Sequence, residues 1–124
     1  MVDFMNISLL FGKKKVLVPV KKTNLLSRAF GLTFRTKNTK NLLFDFKKAV
    51  TWQGTLTSYF VFHTFLALWL DKENRVLAKK IVTPFTFSIS IEKPFYKIVE
   101  VPFNLSNKHI LKQFLSKNEY PLNF

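Results

Sequence analysis

The sequence predicts a mainly β fold, either an antiparallel sandwich or a flattened barrel, with one C-terminal helix. Short apolar segments alternate with polar residues in several places, as in Phe85–Ile91, and this period of two is typical of half-buried strands. Hydrophobic residues make up 48% of the 124 residues, which is ample for one core. Helical spacing is convincing in one segment, near the C-terminus. We therefore expect a single domain over residues 1–124.

The N-terminal part is expected to form a β-hairpin. Asn6–Phe11 and Val16–Val20 have the composition of strands, and the Gly12–Lys15 tetrad between them indicates a turn. Pro19 has no amide hydrogen to donate, so the second strand is expected to have an exposed edge. Asn24 can cap a short helix near residue 25, over Leu25–Phe30.

The remaining strands are predicted from aromatic and β-branched runs. They are Leu32–Arg35, Leu42–Phe46, Leu56–Phe62, Phe65–Leu70, Val76–Val82, Phe85–Ile91 and Tyr96–Val101. Asp71–Arg75 is a polar turn in which Asn74 can adopt the left-handed conformation. We expect one core shared by Phe34, Phe44, Phe60, Phe62, Trp69, Val99 and Val101.

The C-terminal helix is predicted over about residues 106–117, opening at Ser106. Its apolar stripe consists of Ile110, Leu111, Phe114 and Leu115. Lys108 and Lys112 are expected to face solvent, and residues 118–124 to form an irregular tail.

Four segments resemble, in order, motifs of the domain-of-unknown-function family numbered one-nine-two, particularly its archaeal members. They are Arg28–Arg35, Leu42–Phe46, the pair Phe60–Phe62 and Trp69–Asp71, and Lys93–Pro102. The resemblance covers roughly residues 16 to 104 and implies a small antiparallel sandwich or barrel of jelly-roll type. The polar positions of the family are replaced here by Thr57-Ser58 and Phe65-Leu66. The resemblance therefore implies a fold rather than an activity.

Several chemistries are excluded or disfavoured. The chain has no cysteine, which excludes disulfides, thiolate nucleophiles and iron–sulfur clusters. His63 and His109 lack metal-ligand spacing, and the three glycines do not form a phosphate-binding loop. We therefore expect no cofactor, no metal and no enzymatic activity. The most apolar run, Leu56–Leu70, is too short and too polar to cross a membrane, so a cytoplasmic protein is expected.

The charge distribution is the remaining signal. The formal net charge is +13, and residues 11–50 alone hold eleven Lys and Arg against one acid, Asp45. Such a concentration of positive charge attracts polyanions. Lysine outnumbers arginine by seventeen to three, which favours point-charge contacts to phosphate over bidentate reading of bases.

Two functions follow as the leading hypotheses, and a degenerate enzyme is a third. The first is a non-enzymatic domain that binds RNA backbone, as an accessory protein of a ribonucleoprotein such as the ribosome. Its candidate contact residues are Lys13, Lys14, Lys15, Lys21, Lys22, Arg35, Lys37, Lys40, Lys47, Lys48 and Trp52. The alternative is a small-ligand or protein-binding module with a degenerate polar pocket near Thr57, Ser58, His63 and Asp71.

Overall fold

The fold is mainly β, as predicted. A computed structural model describes residues 4–23, 40–50, 64–83 and 91–119. The strands are β1 (Phe4–Phe11), β2 (Lys14–Thr23), β3 (Leu42–Val50), β4 (Phe65–Leu70), β5 (Val76–Val82) and β6 (Phe95–Pro102). A 3₁₀ turn (Leu105–Asn107) leads into the single described helix, α1 (Lys108–Phe114).

Several predicted elements lie outside the described residues. They are the short helix near residue 25, the strands Leu32–Arg35 and Leu56–Phe62, and nearly all of the strand Phe85–Ile91. The core positions Phe34, Phe60 and Phe62 also lie outside them.

The six strands form one sheet in the order β1-β2-β3-β6-β4-β5. Four of its five pairings are antiparallel, whereas β2 and β3 run parallel through Lys21–Thr23 and Leu42–Phe44. The prediction of a purely antiparallel sheet is therefore wrong at this point. Residues 24–41 join the two strands, and a connection of this length can return the chain to the same end of the sheet, as a parallel pair requires.

The sheet curls into a half-barrel, which agrees with the predicted flattened barrel. Its two outer strands, β1 and β5, meet at a parallel bridge between Leu10 and Arg75. The amide of Leu10 donates to the carbonyl oxygen of Asn74 at 2.9 Å. This contact brings together residues that stand at opposite ends of the strand order.

Two apolar clusters lie on opposite faces of the sheet. Side chains alternate between faces along a strand, so Leu66, Leu68 and Val99 belong to one cluster while Phe44 and Trp69 belong to the other. The expectation that Phe44, Trp69, Val99 and Val101 share one core is therefore wrong. All four are buried, but a sheet separates Phe44 and Trp69 from Val99 and Val101.

The helix packs on the first cluster through the predicted stripe. Ile110, Leu111, Phe114 and Leu115 are buried there, and Lys108 and Lys112 are exposed, as expected. However, α1 ends at Phe114 rather than near Lys117, because Leu115 is extended and Lys79 Nζ donates to the Phe114 carbonyl oxygen at 2.7 Å. The start also differs: α1 begins at Lys108 with Asn107 at its N-cap position, and Asn104 caps the preceding 3₁₀ turn, where its side chain accepts from the amide of Asn107.

The one helix among these residues is too short to span a bilayer.

Candidate nucleic-acid interface

The first group of predicted lysines lies at the turn between β1 and β2. Lys13, Lys14 and Lys15 are all exposed there, and Gly12 opens the turn with a φ of 61°. Glycine adopts this left-handed backbone without steric cost. Lys14 Nζ donates to the carbonyl oxygen of Gln113 at 3.3 Å, so the turn lies beside the end of α1.

A second group lies at the other end of the β1–β2 hairpin. Lys21 is opposite Phe4 in the strand register, and the ammonium of Lys40 lies 5.7 Å from the centre of the Phe4 ring. Lys40 is exposed, whereas Lys21 and Lys22 are half-buried. Because Lys21 is six residues beyond Lys15 on one strand, about 20 Å separates this group from the turn.

The third group, Lys47 and Lys48, is exposed on the second half of β3. Here the register of β3 with β6 shifts between Asp45 and Val50. Lys47 has a φ of 60°, and its amide donates to Asp45 Oδ1 at 2.9 Å. An irregularity of this kind interrupts the regular ladder, and both lysines are exposed at it.

The structure therefore spreads the lysines along the β2–β3 path instead of gathering them into one patch. From Lys15 to Lys21 and then from Leu42 to Lys48, the contour along the two strands is about 40 Å. Arg35, Lys37 and Trp52 lie outside the described residues.

These eight lysines carry no ion pair with any acid in the described part of the chain. The ion pairs found there join Arg75 to Asp71 and Glu73, and Lys79 to Glu119. All of them lie on β5, in its preceding turn or in the turn that follows α1. The lysines of the β2–β3 path are thus uncompensated by those acids, which leaves their charge available to an external anion.

One cleft opens at the end of the hairpin that holds Lys21 and Lys40. It encloses about 440 Å³ between the start of β1, the end of β2 and the 3₁₀ turn before α1. Its exposed lining includes Phe4, Met5 and Lys40, and its buried lining includes Asn41 and Asn107. The full lining is Phe4, Met5, Asn6, Pro19, Val20, Lys21, Lys40, Asn41, Asn104, Ser106, Asn107 and Ile110.

Asn41 takes its place in the cleft because it completes the edge of β2. Its Nδ2 donates to the carbonyl oxygen of Pro19 at 2.9 Å, and its own carbonyl oxygen accepts from the amide of Lys21 at 2.8 Å. The Asn41 side chain thus supplies a donor to the Pro19 carbonyl oxygen, at a point where β3 does not pair with β2. The edge of β2 that was predicted to be exposed lacks a partner strand at Pro19, where Asn41 bonds to it, but from Lys21 to Thr23 it pairs with β3.

Asn104 and Asn107 shape the opposite wall. Asn104 Oδ1 accepts from the Asn107 amide at 3.0 Å, and Asn107 Nδ2 donates to the Pro102 carbonyl oxygen at 2.9 Å. Both residues are about 5% exposed. The Nδ2 of Asn107 is therefore engaged with the backbone, and its Oδ1 receives no donor from the described residues.

The asparagines of the cleft were not predicted as site residues. Asn104 and Asn107 have the N-x-x-N spacing of a capped turn, which is the local signal that could have drawn attention to them. Asn41 offers no comparable signal, because its role depends on the distant Pro19.

Of the four residues of the predicted alternative pocket, the structure describes Asp71. Thr57, Ser58 and His63 lie outside the described residues. Asp71 is a turn residue: its Oδ1 accepts from the amides of Glu73 and Arg75, and its Oδ2 from Arg75 Nε at 2.7 Å. Burial alone would raise the pKa of Asp71, but the hydrogen bonds from Arg75 and Glu73 and the charge of Arg75 together hold it below its usual value.

Metal-binding geometry is also lacking in the described segments, where no three His, Asp or Glu side chains cluster. His109 is exposed on α1.

No family model and no curated protein matches the chain. Two solved structures are similar in fold. One, from Sinorhizobium meliloti, is described as a proposed transcription regulator; it has a TM-score of 0.71 at 14% identity, covering 88% of this chain and 87% of that one. The other, a protein of unknown function from Novosphingobium aromaticivorans, has a TM-score of 0.67 at 13% identity, covering 88% of this chain and 80% of that one. At these identities the likeness shows a shared fold.

Proposed function

We propose that this protein binds RNA through the sugar–phosphate backbone and has no enzymatic role, as an accessory protein of a ribonucleoprotein such as the ribosome. The observation that carries the proposal is the line of lysines along β2 and β3 that have no acidic partner in the described part of the chain. An extended polyanion can contact successive members of this line, whereas a small anion can contact one group.

The chemistry of the contact residues favours backbone binding. Lysine presents a compact, strongly hydrated charge on a flexible stem, which suits phosphate and does not read base edges in a fixed geometry. Lys13, Lys15 and Lys48 project from a turn and from an irregular strand, so they can meet a strand of RNA without disturbing the sheet. We therefore expect weak binding with little base preference.

A salt titration tests this proposal. A fluorescently labelled, unstructured single-stranded RNA is titrated with the protein at several salt concentrations, and binding is measured by fluorescence anisotropy. If six lysines contact phosphates, log K falls against log salt with a slope of about −4. Absence of binding at low salt would overturn the proposal.

We also propose that the chain is a divergent member of the domain-of-unknown-function family numbered one-nine-two. The support is the order of the four motif segments, three of which fall at least partly on observed strands. Leu42–Phe46 lies in β3, Trp69 and Leu70 end β4, and the Lys93–Pro102 segment contains β6.

The alternative function, a small-ligand-binding module, is favoured by one observation. The cleft beside Lys21 and Lys40 has a volume of about 440 Å³, which is within the usual range of small-molecule sites. Asp71, the described member of the pocket predicted from Thr57, Ser58, His63 and Asp71, is not among the residues that line this cleft. A ligand that binds this cleft tightly in a protein without affinity for RNA would favour the alternative.

A further inference from the structure

The cleft has a consistent electrostatic character. Lys21 and Lys40 are the charged members of its described lining, and none of the twelve lining residues is acidic. Neither lysine makes an ion pair with a described acid. Two ammonium groups at one opening attract an anionic group, and phosphate is the anion that lysine binds as a point charge.

The rest of the lining offers polar groups that can bind the uncharged part of a ligand. Asn107 is buried, its Nδ2 is held by the Pro102 carbonyl oxygen, and its Oδ1 lacks a donor from the described residues. The exposed Ser106 adds a hydroxyl group to the same wall. An amide oxygen accepts hydrogen bonds from hydroxyl groups, and a ribose carries hydroxyl groups several bonds away from its phosphate, which inorganic phosphate lacks.

The apolar part of the cleft suits a ligand that also carries a flat ring. Phe4 is 60% exposed and Met5 is 44% exposed, although both are large hydrophobic residues. Exposed aromatic and thioether side chains beside cations provide a surface on which a flat ring can stack.

We infer that this cleft binds a ribose phosphate that carries a base, with the phosphate between Lys21 and Lys40, the hydroxyl groups toward Asn107 and Ser106, and the base against Phe4 or Met5. The inference rests on the proposed RNA-binding function and locates one nucleotide of the strand. The same chemistry is offered by a free nucleotide and by an RNA chain, and the experiment below separates these sources.

The test is a nuclear magnetic resonance titration of the full chain with four probes. They are adenosine 5′-monophosphate, its 2′-deoxy analogue, inorganic phosphate and a single-stranded adenylate octamer. The signals observed are the side-chain amides of Asn41 and Asn107 and the backbone amide of Ser106. We expect the ribonucleotide and the octamer to shift these signals, and inorganic phosphate to require at least tenfold higher concentration.

A pair of conservative variants provides the control. Lys40→Gln removes a cleft charge, and Lys72→Gln removes an exposed charge from the turn between β4 and β5, which is outside the proposed contact residues. We expect Lys40→Gln to weaken adenosine monophosphate binding about fivefold, an effect of about 1 kcal/mol, and Lys72→Gln to leave it unchanged.

The outcomes separate this inference from the proposed function. If the octamer binds but neither it nor the nucleotide shifts the cleft signals, the inference is overturned and RNA binding stands. If the nucleotide binds the cleft and the octamer does not bind at all, RNA binding is overturned and the cleft is supported as a nucleotide site. Equal affinities for inorganic phosphate and the ribonucleotide would overturn the assignment of a ribose phosphate.

Discussion

The amide of Leu10 donates to the carbonyl oxygen of Asn74 at 2.9 Å, and this bond joins β1 to the turn that begins β5. Asn74 can offer its carbonyl there because its φ of 66° turns the backbone, and Lys97 Nζ donates to its Oδ1 at 2.6 Å. One asparagine thus shapes the β4–β5 turn and contacts both β1 and β6.

A substitution at Asn74 should test the contact between β1 and the β4–β5 turn. Valine is strained at positive φ, so we expect Asn74→Val to lower the free energy of unfolding by about 1–3 kcal/mol. Asn74→Gly keeps the backbone conformation and loses the side-chain bond to Lys97, so its cost should be smaller. Urea denaturation measures the free energy of unfolding of both variants. Hydrogen exchange at the Leu10 amide reports directly on its bond to the Asn74 carbonyl oxygen. Equal losses in the two variants would contradict a role for the left-handed backbone.

Phe44 should be among the most costly residues to truncate. Its side chain is fully buried in the cluster that also contains Trp69 and Ile98. We expect Phe44→Ala to lower the free energy of unfolding by about 3–5 kcal/mol. Leu17→Ala is the control, because Leu17 is 59% exposed and its truncation should change stability by about 0.5 kcal/mol or less. A loss at Phe44 no larger than at Leu17 would contradict the packing described for this face.

The Asp71 turn should make stability depend on pH in the acid range. The pKa of Asp71 is lowered in the folded protein, so the carboxylate stabilises the fold above its usual pKa of 3.8, and this contribution is lost as the pH falls through the folded-state pKa. We expect Asp71→Asn to cost about 1 kcal/mol at pH 7, discounted for partial exposure. The difference in the free energy of unfolding between the variant and the parent protein, measured by urea denaturation, should shrink below pH 3.8. A difference that is constant from pH 7 to pH 2 would show that the charge has no part in it.

Local patterns predicted much of the fold. Strand β4 (Phe65–Leu70), strand β5 (Val76–Val82) and the turn with Asn74 at positive φ agree with the prediction, because each depends on residues close together in the chain. The buried stripe of α1 also follows from spacing alone.

The features that were missed depend on residues far apart. The parallel pairing of β2 and β3 joins segments across residues 24–41, and no local pattern distinguishes it from antiparallel pairing. Alternation divides the side chains of each strand between two faces, but the register between strands, such as Trp69 opposite Ile98, decides which residues of different strands share a face. The cleft likewise brings together Asn41, which precedes β3, and Asn107, which follows β6 and is 66 positions later in the sequence.

The candidate contact lysines were predicted from charge density, but their arrangement was not. Sequence clustering places Lys15 and Lys48 in one basic segment, whereas the strand path sets them about 40 Å apart along its contour. Strands extend about 3.3 Å per residue, so nearby sequence positions separate quickly on a sheet.

The most direct test of RNA-backbone binding along the β2–β3 path compares two charge reversals of equal size. One variant carries Lys13→Glu and Lys15→Glu, which spares the contact of Lys14 with Gln113. The other carries Lys108→Glu and Lys112→Glu, two exposed lysines of α1. Anisotropy with single-stranded RNA over a salt series is measured for both, after circular dichroism has shown that each is folded. We predict that the first pair weakens binding at least tenfold and makes the salt slope shallower by about 1.4, and that the second pair has a much smaller effect. Equal losses from the two pairs would contradict a binding path on β2 and β3 and would show that net charge alone attracts the RNA.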